Sequence, residues 1–376
     1  MEGCTVTNRL SKGIQIFGSY RALLGLFLLG TMLNVLSACS QSAPRPFATD
    51  SAPIVQTPDS LVGVIDKRAR FREIYCEVLE ARETELPDYR TCDVALTRVA
   101  DEKTGSGQTV QLGQSQTRLK VFFVPGIGWD CFSEWLASPA TSVDHIKSLG
   151  YDFELVPIEG LSSSRRNAQI IRETVLRSET DGSGADAVLV GYSKGAPDIL
   201  EAVTTYPELR VHIAAVVSVA GAVWGSPLAN EVEQSDLAPL RKWPGATCSM
   251  GDGGGVESLT PAIRAKWMAE NELPSNIRYY SLVSLPDPDN ISTILRPGYT
   301  KLSELDVRND SQLLLFDQFV PGSAFLGYLN ADHWALALPL ARSHRLVGQT
   351  VVNRNAYPRE ALLEAILRSV EEDLER

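Results

Sequence analysis

From residue 119 onward, short continuous apolar runs alternate with longer amphipathic stretches. The runs at 121–124, 153–157, 187–190, 213–219, 277–284 and 324–329 are strand-length and rich in β-branched and aromatic residues, so they read as strands. The stretches at 131–149, 167–177, 196–205 and 359–374 carry apolar residues at helical spacing. Strands that are apolar throughout are buried on both sides. That requires a mostly parallel central sheet with helices on both faces, an α/β fold. In such a sheet, reactive groups belong just beyond the carboxyl ends of the strands.

Two segments break the alternation. In the first, Ile65, Phe71, Ile74, Tyr75, Val78 and Leu79 recur at near-helical spacing, so 61–118 reads as an N-terminal helical extension ahead of a main domain at 119–376. In the second, about 227–275, Trp243-Pro244-Gly245 and the run Gly251 to Gly255 precede an expected helix at 261–271. It reads as a lid-like insertion over the site. No strand leads into the glycine run and no Lys-Ser/Thr follows it, so it reads as a mobile loop and not as a phosphate cradle.

The start of the chain has a different pattern. Arg9, Lys12 and Arg21 precede an apolar stretch over 22–36, then Ser37-Ala38-Cys39. A basic region, an apolar core and small residues describe an export signal. Leu36-Ser37-Ala38-Cys39 resembles the bacterial lipobox, which implies that 1–38 is removed and Cys39 carries lipid. Acylation would anchor the protein without a spanning helix. Ser40 after the cysteine is similar to the pattern sent on to the outer membrane. Residues 39–60, rich in Ser, Pro, Ala and Thr, then form a flexible tether.

The 376 residues carry a formal net charge of −11. Loss of 1–38 would take three basic residues and one acidic one, leaving about −13. An acidic body repels phosphates, so nucleic acid is not an expected partner. Four cysteines remain besides Cys4 and Cys39. Three pairings are open to them. Cys76–Cys92, flanking the turn Glu85-Leu86-Pro87-Asp88, is the favoured one, with Cys131–Cys248 then paired by default. No Cys/His spacing suggests zinc, and no metal or organic cofactor is expected.

The chemistry centres on Gly191-Tyr192-Ser193-Lys194-Gly195, which follows one expected strand and opens an expected helix. A Gly-x-Ser-x-Gly in that context is a nucleophile elbow: the serine sits on a strained turn with its Oγ presented, and glycines remove the Cβ atoms that would clash. The turn also sets the Lys194 amide at a helix start, where it can face an oxyanion. A serine nucleophile needs a base and an acid to orient that base, in the chain order Ser, Asp/Glu, His. Three histidines follow Ser193. His212 precedes a strand, at the wrong end of the sheet, and reads as structural. His344 lies further along in a polar stretch. His333, in the loop after the last strand, is the expected base. For the acid, Asp310 is preferred by chain order, with Asp317 as its competitor and Asp287, Asp289 and Asp332 as weaker ones.

Together with that elbow, Val121-Phe-Phe-Val-Pro-Gly-Ile127, Ser218-Val-Ala-Gly-Ala-Val-Trp-Gly-Ser-Pro-Leu228, Asn309-Asp310 and Asp332-His333 resemble the α/β-hydrolase superfamily and are similar to bacterial lipases and esterases. The resemblance covers roughly 119–340. It implies a triad of Ser193, Asp310 and His333, and it supports Asp310 over Asp317. It places the second oxyanion donor at the Ile127 amide, with Pro125-Gly126 standing where the family has His-Gly. The function implied is a membrane-anchored serine hydrolase acting on small-molecule or lipid esters. Amidases and acyltransferases on the same core remain open, as does a lipoprotein that only binds.

Overall fold

The computed structural model describes residues 59–375, apart from 101, 104, 133–139, 180–185 and 233–248. The signal segment, Cys39 and nearly all of the tether lie outside the described residues, as do Cys248 and much of the expected lid. Among the described residues, no helix is long and apolar enough to cross a membrane.

The chain enters through β1 (Ile65–Asp66), helix α1 (Arg68–Arg82) and β2 (Leu96–Thr97). The alternating part then follows: β3 (Leu119–Val124), α2 (Ala140–Ser148), β4 (Asp152–Leu155), α3 (Ser164–Glu179), β5 (Asp186–Tyr192), α4 (Gly195–Thr205) and β6 (Ile213–Val219). After α5 (Pro261–Glu270) come β7 (Arg278–Ser284), α6 (Arg296–Ser303), β8 (Ala324–Leu329) and α7 (Arg359–Leu374). The strands form one sheet in the order β1-β8-β7-β6-β5-β3-β4, with β2 also paired to β8. Every pairing is parallel except β2 with β8. This is the α/β-hydrolase architecture that the alternation calls for.

Period-2 alternation within the strands divides the core in two. Val121, Val188, Val190, Ala215 and Val217 face one side, against Phe71, Ile74 and Val78 of α1 and Ala365, Ile366 and Val370 of α7. Phe122, Val124, Leu189 and Val216 face the other, against Ala168, Ile171 and Val175 of α3 and Ile199, Ala202 and Val203 of α4. Both faces are therefore covered, which is why these strands carry no polar alternation.

The N-terminal extension corrects the helical expectation for 61–118. Only α1 and a short turn of helix at Cys92–Ala95 are α-helical, the described residues of 98–118 contain no helix, and β1 and β2 add to the edge of the sheet. Two-residue strands are too short to display a period. What makes them strands is the open edge of β8 opposite β7, whose backbone groups accept Ile65 beside Ala324 at one end and Leu96 beside Leu329 at the other. Cys76 and Cys92 are disulfide-bonded, with Cα atoms 5.0 Å apart. Within the expected helix at 131–149, Ala140–Ser148 is α-helical and Asp130–Phe132 forms a 3-10 turn, while 133–139 lie outside the described residues.

The glycine run of the insertion is docked, not loose. The Gly255 amide donates to the Leu161 carbonyl at 2.9 Å, and Asp252 accepts from Ser163 N at 2.7 Å. A Cβ on Gly254 would lie 2.8 Å from that of Ser163. The glycines here allow close approach of two loops.

Candidate active site

The elbow forms because β5 and α4 meet with almost no room between them. A Cβ on Gly191 would lie 2.7 Å from Ala196 N, and one on Gly195 would lie 2.0 Å from the Val124 carbonyl oxygen. Ser193, held between them, takes a φ of +54°. That left-handed conformation is strained for a residue with a side chain. The surrounding backbone holds it there: Ser193 N donates to Val219 O at 3.2 Å, and Ser193 O accepts from Ala222 N at 3.0 Å and Ala196 N at 3.2 Å.

His333 follows β8 and is fixed by the residues just before it. Ser284 Oγ, at the end of β7, donates to Ala331 O at 2.6 Å. The Asn330 side chain exchanges hydrogen bonds with Asp287 N and Oδ2. Asp332 is buried and accepts from Ser292 N at 2.8 Å and Ala335 N at 2.9 Å. Burial pushes its carboxyl above the ordinary range, while those hydrogen bonds pull the other way. Tyr192 donates from its hydroxyl to His333 O at 2.6 Å, and the two rings lie 5.2 Å apart.

Asp310 arrives from the long segment between β7 and β8. Its Oδ1 accepts from Gln312 N at 2.9 Å and Leu313 N at 2.7 Å, a turn that leaves Ser311 at φ +83°. The preceding Asn309 locks the turn by accepting from Ser311 N at 3.0 Å and donating to Asp306 O at 3.0 Å.

These three elements bring one chain of hydrogen bonds together. Ser193 Oγ lies 2.8 Å from His333 Nε2, and His333 Nδ1 lies 2.7 Å from Asp310 Oδ2. Ser193 and His333 are buried apart from a sliver of surface, and Asp310 is completely buried. A carboxylate on Nδ1 fixes the tautomer that leaves Nε2 free to accept from the serine hydroxyl. The other candidates lie elsewhere. His212 precedes β6, with its carbonyl accepting from Ala187 N. His344 Nδ1 is 3.0 Å from Ser343 Oγ. Asp317 sits in the 3-10 turn Leu315–Gln318, where burial and then Asp306 push its carboxyl up to about 7.

Both expected oxyanion donors border the serine. Lys194 precedes α4, and among the described residues neither its amide nor that of Ile127 donates to a backbone acceptor. The loop carrying Ile127 touches the nucleophile: a Cβ on Gly126 would lie 2.9 Å from Ser193 Cβ and 3.3 Å from Oγ. Sequence reasoning passed over that contact and also the Lys194 side chain, which is fully buried and ion-paired with Asp198 at 2.7 Å. The i, i+4 spacing of Lys194 and Asp198 at the start of α4 was the available signal. Burial pulls the Lys194 ammonium below its ordinary value, and Asp198 partly offsets this.

No family model matches the sequence, and none of the curated proteins matches it. Among solved structures, the chain is similar to a metagenomic carboxyl esterase, with 39% identity over 86% of this chain and 97% of that one and a TM-score of 0.77. It also shares its fold with EstA from Clostridium botulinum, at 11% identity, 82% and 99% coverage and a TM-score of 0.50. A Bacillus licheniformis lipase matches at 18% identity, 65% and 95% coverage and a TM-score of 0.48. With well over a third of its residues identical across nearly the whole of the first of these, the chain belongs to the carboxyl esterases of the α/β-hydrolase fold and is a carboxylic ester hydrolase.

Proposed function

We propose that Ser193, His333 and Asp310 are the nucleophile, base and orienting acid of this esterase. The observation that carries the reading is the unbroken chain Ser193 Oγ–His333 Nε2–His333 Nδ1–Asp310 Oδ2, with both contacts under 3 Å. His333 takes the hydroxyl proton as Oγ bonds to the ester carbonyl carbon. The carbonyl oxygen becomes an oxyanion facing the amides of Ile127 and Lys194, each worth about 3–4 kcal/mol in the transition state. As the tetrahedral intermediate collapses, His333 returns the proton to the leaving alcohol, giving an acyl-enzyme. Water, deprotonated by His333, then releases the acid and restores the serine.

A cavity of about 130 Å³ lies between the sheet and α7, with Phe123, Trp129, Tyr192, Leu336, Leu363 and Ile366 among its walls. Its lining is mainly apolar, and Tyr192 lies directly before the nucleophile. Neither Ser193 nor His333 is among its walls.

We further propose that the esterase works at the cell envelope, tethered through lipid on Cys39, in keeping with Leu36-Ser37-Ala38-Cys39. The outer membrane is the proposed site, with a small-molecule or lipid ester as substrate. A fluorophosphonate probe should label Ser193 in the wild type and label nothing in Ser193→Ala. Full activity in a folded Ser193→Ala would overturn the triad. A mature N-terminus other than acylated Cys39, by mass spectrometry, would overturn the anchor. Hydrolysis of amides in preference to matched esters, or transfer to alcohols in preference to water, would move the reading to an amidase or acyltransferase.

A further inference from the structure

The residue after the nucleophile is a lysine whose side chain the mechanism does not use. Lys194 Nζ lies 2.7 and 2.9 Å from the two carboxylate oxygens of Asp198, one turn into α4, and both side chains are fully buried. Burying two charges costs several kcal/mol per ion, and apolar residues of similar size would serve stability as well or better. The pair therefore calls for a reason other than packing.

Its connections supply one. Asp198 Oδ2 also accepts from Asn167 Nδ2 of α3 at 2.7 Å. Asn167 Oδ1 in turn accepts from Glu159 N at 3.1 Å. The next residue, Gly160, accepts at its carbonyl from Gly128 N at 3.2 Å and donates from its amide to Asp130 Oδ1 at 3.1 Å. Gly128 directly follows Ile127. The contact has no slack, because a Cβ on Gly160 would lie 2.8 Å from Gly128 N and 2.3 Å from Asp130 Oδ1. A series of buried and half-buried hydrogen bonds, continued by the backbone from Glu159 to Gly160, thus runs from the Lys194 ammonium through Asp198 of α4 and Asn167 of α3 to Gly128, the residue after Ile127.

We propose that Lys194, Asp198 and Asn167 are positioning residues that set the separation and direction of the two oxyanion-hole amides. This rests on Ser193 as nucleophile with Ile127 and Lys194 as its oxyanion donors. The two donors come from loops after different strands, β3 and β5, and must converge on one oxygen at hydrogen-bond distance. A small displacement of either loses most of its worth, since removing one such donor costs about 10²–10³-fold in kcat. The network ties the two loops through side chains of α4 and α3 that are not part of the triad.

The test uses Asn167→Ala and the double variant Lys194→Met/Asp198→Leu, which removes both charges together and leaves neither unpaired. For p-nitrophenyl acetate, each should lower kcat by about 10–100-fold with KM within about threefold. Affinity for a trifluoromethyl ketone, which forms an anionic tetrahedral adduct on the serine, should fall by the same factor as kcat/KM. A structural role alone would lower the melting temperature and leave kcat and ketone affinity of the folded enzyme unchanged. That result in either variant overturns the proposal, and should the double variant fail to fold, Asn167→Ala decides. Ser193→Ala, run in parallel, separates the two layers. If it is inactive while the network variants are unaffected, only the positioning role fails. If it is active, the underlying reading fails as well.

Discussion

Replacing Asp310 by asparagine tests the triad most sharply, because the local bonds dictate which way the new amide points. Asp310 Oδ1 accepts two backbone N–H groups, from Gln312 and Leu313, and Oδ2 faces His333 Nδ1. An asparagine oxygen can keep either the two backbone bonds or the one to the imidazole. Turning the NH2 toward two backbone donors would leave both unsatisfied in a buried site, at about 1–3 kcal/mol each. The oxygen therefore stays with the backbone and the NH2 faces Nδ1. Nδ1 must then accept, so the ring proton moves to Nε2, 2.8 Å from Ser193 Oγ. A protonated Nε2 cannot take the serine proton. The expected loss is about 10⁴-fold in kcat, or roughly 5.4 kcal/mol. Initial rates on p-nitrophenyl acetate and the rate of fluorophosphonate labelling should fall together, with the melting temperature nearly unchanged. A loss under tenfold in a folded Asp310→Asn would refute the tautomer argument, and an inactive Asp317→Asn beside it would move the acid to Asp317.

Three further outcomes follow from particular contacts. Gly126→Ala places a Cβ 2.9 Å from that of Ser193, so activity on short esters should drop at least tenfold with little change in far-UV circular dichroism. Asp317→Asn should stabilise the protein, and by more at pH 8 than at pH 4. The native carboxyl, raised to about 7, binds its proton more tightly than the unfolded chain does, so its burial is harmless below about pH 4 and increasingly costly up to about pH 7. Equal melting shifts at both pH values would contradict this. Cys76→Ser with Cys92→Ser should lower stability by up to about 3 kcal/mol in urea, since the bond spans 16 residues, and unchanged urea midpoints would contradict this.

The strands of the main sheet and the three residues of the hydrogen-bonded Ser193–His333–Asp310 chain were legible because each carries a local or order-based signature. Residues 213–219 and 324–329 are apolar but for Ser218, and they match β6 and β8 end for end. Ser193 has flanking glycines that only a tight crossing demands. Asp310 and His333 were placed by chain order and by the resemblance of Asn309-Asp310 and Asp332-His333, since the 2.7 Å between them joins loops far apart in the sequence. What stayed hidden was set by tertiary partners. Ile65–Asp66 and Leu96–Thr97 are strands because β8 needs neighbours. Asn167 shows its role only once α3 lies against α4, and the glycines at 251–255 reveal theirs only with 161–163 beneath them.

The pairing of β1 and β2 with β8 bears on how the chain acquires its structure. The amino-terminal strands find their partner roughly 230 to 260 residues later, at 324–329. Closing so long a loop carries a large entropic cost that nearby contacts must first offset. The Cys76–Cys92 bond can close early, being local, but it stabilises a segment that still has no sheet to join. Residues 65–97 are thus made first and completed last. A protein truncated before 324 would keep the Ser193 turn yet leave this segment without a partner and the edge of β7 bare. Such a product should be recovered from inclusion bodies, and not as a smaller, weaker enzyme.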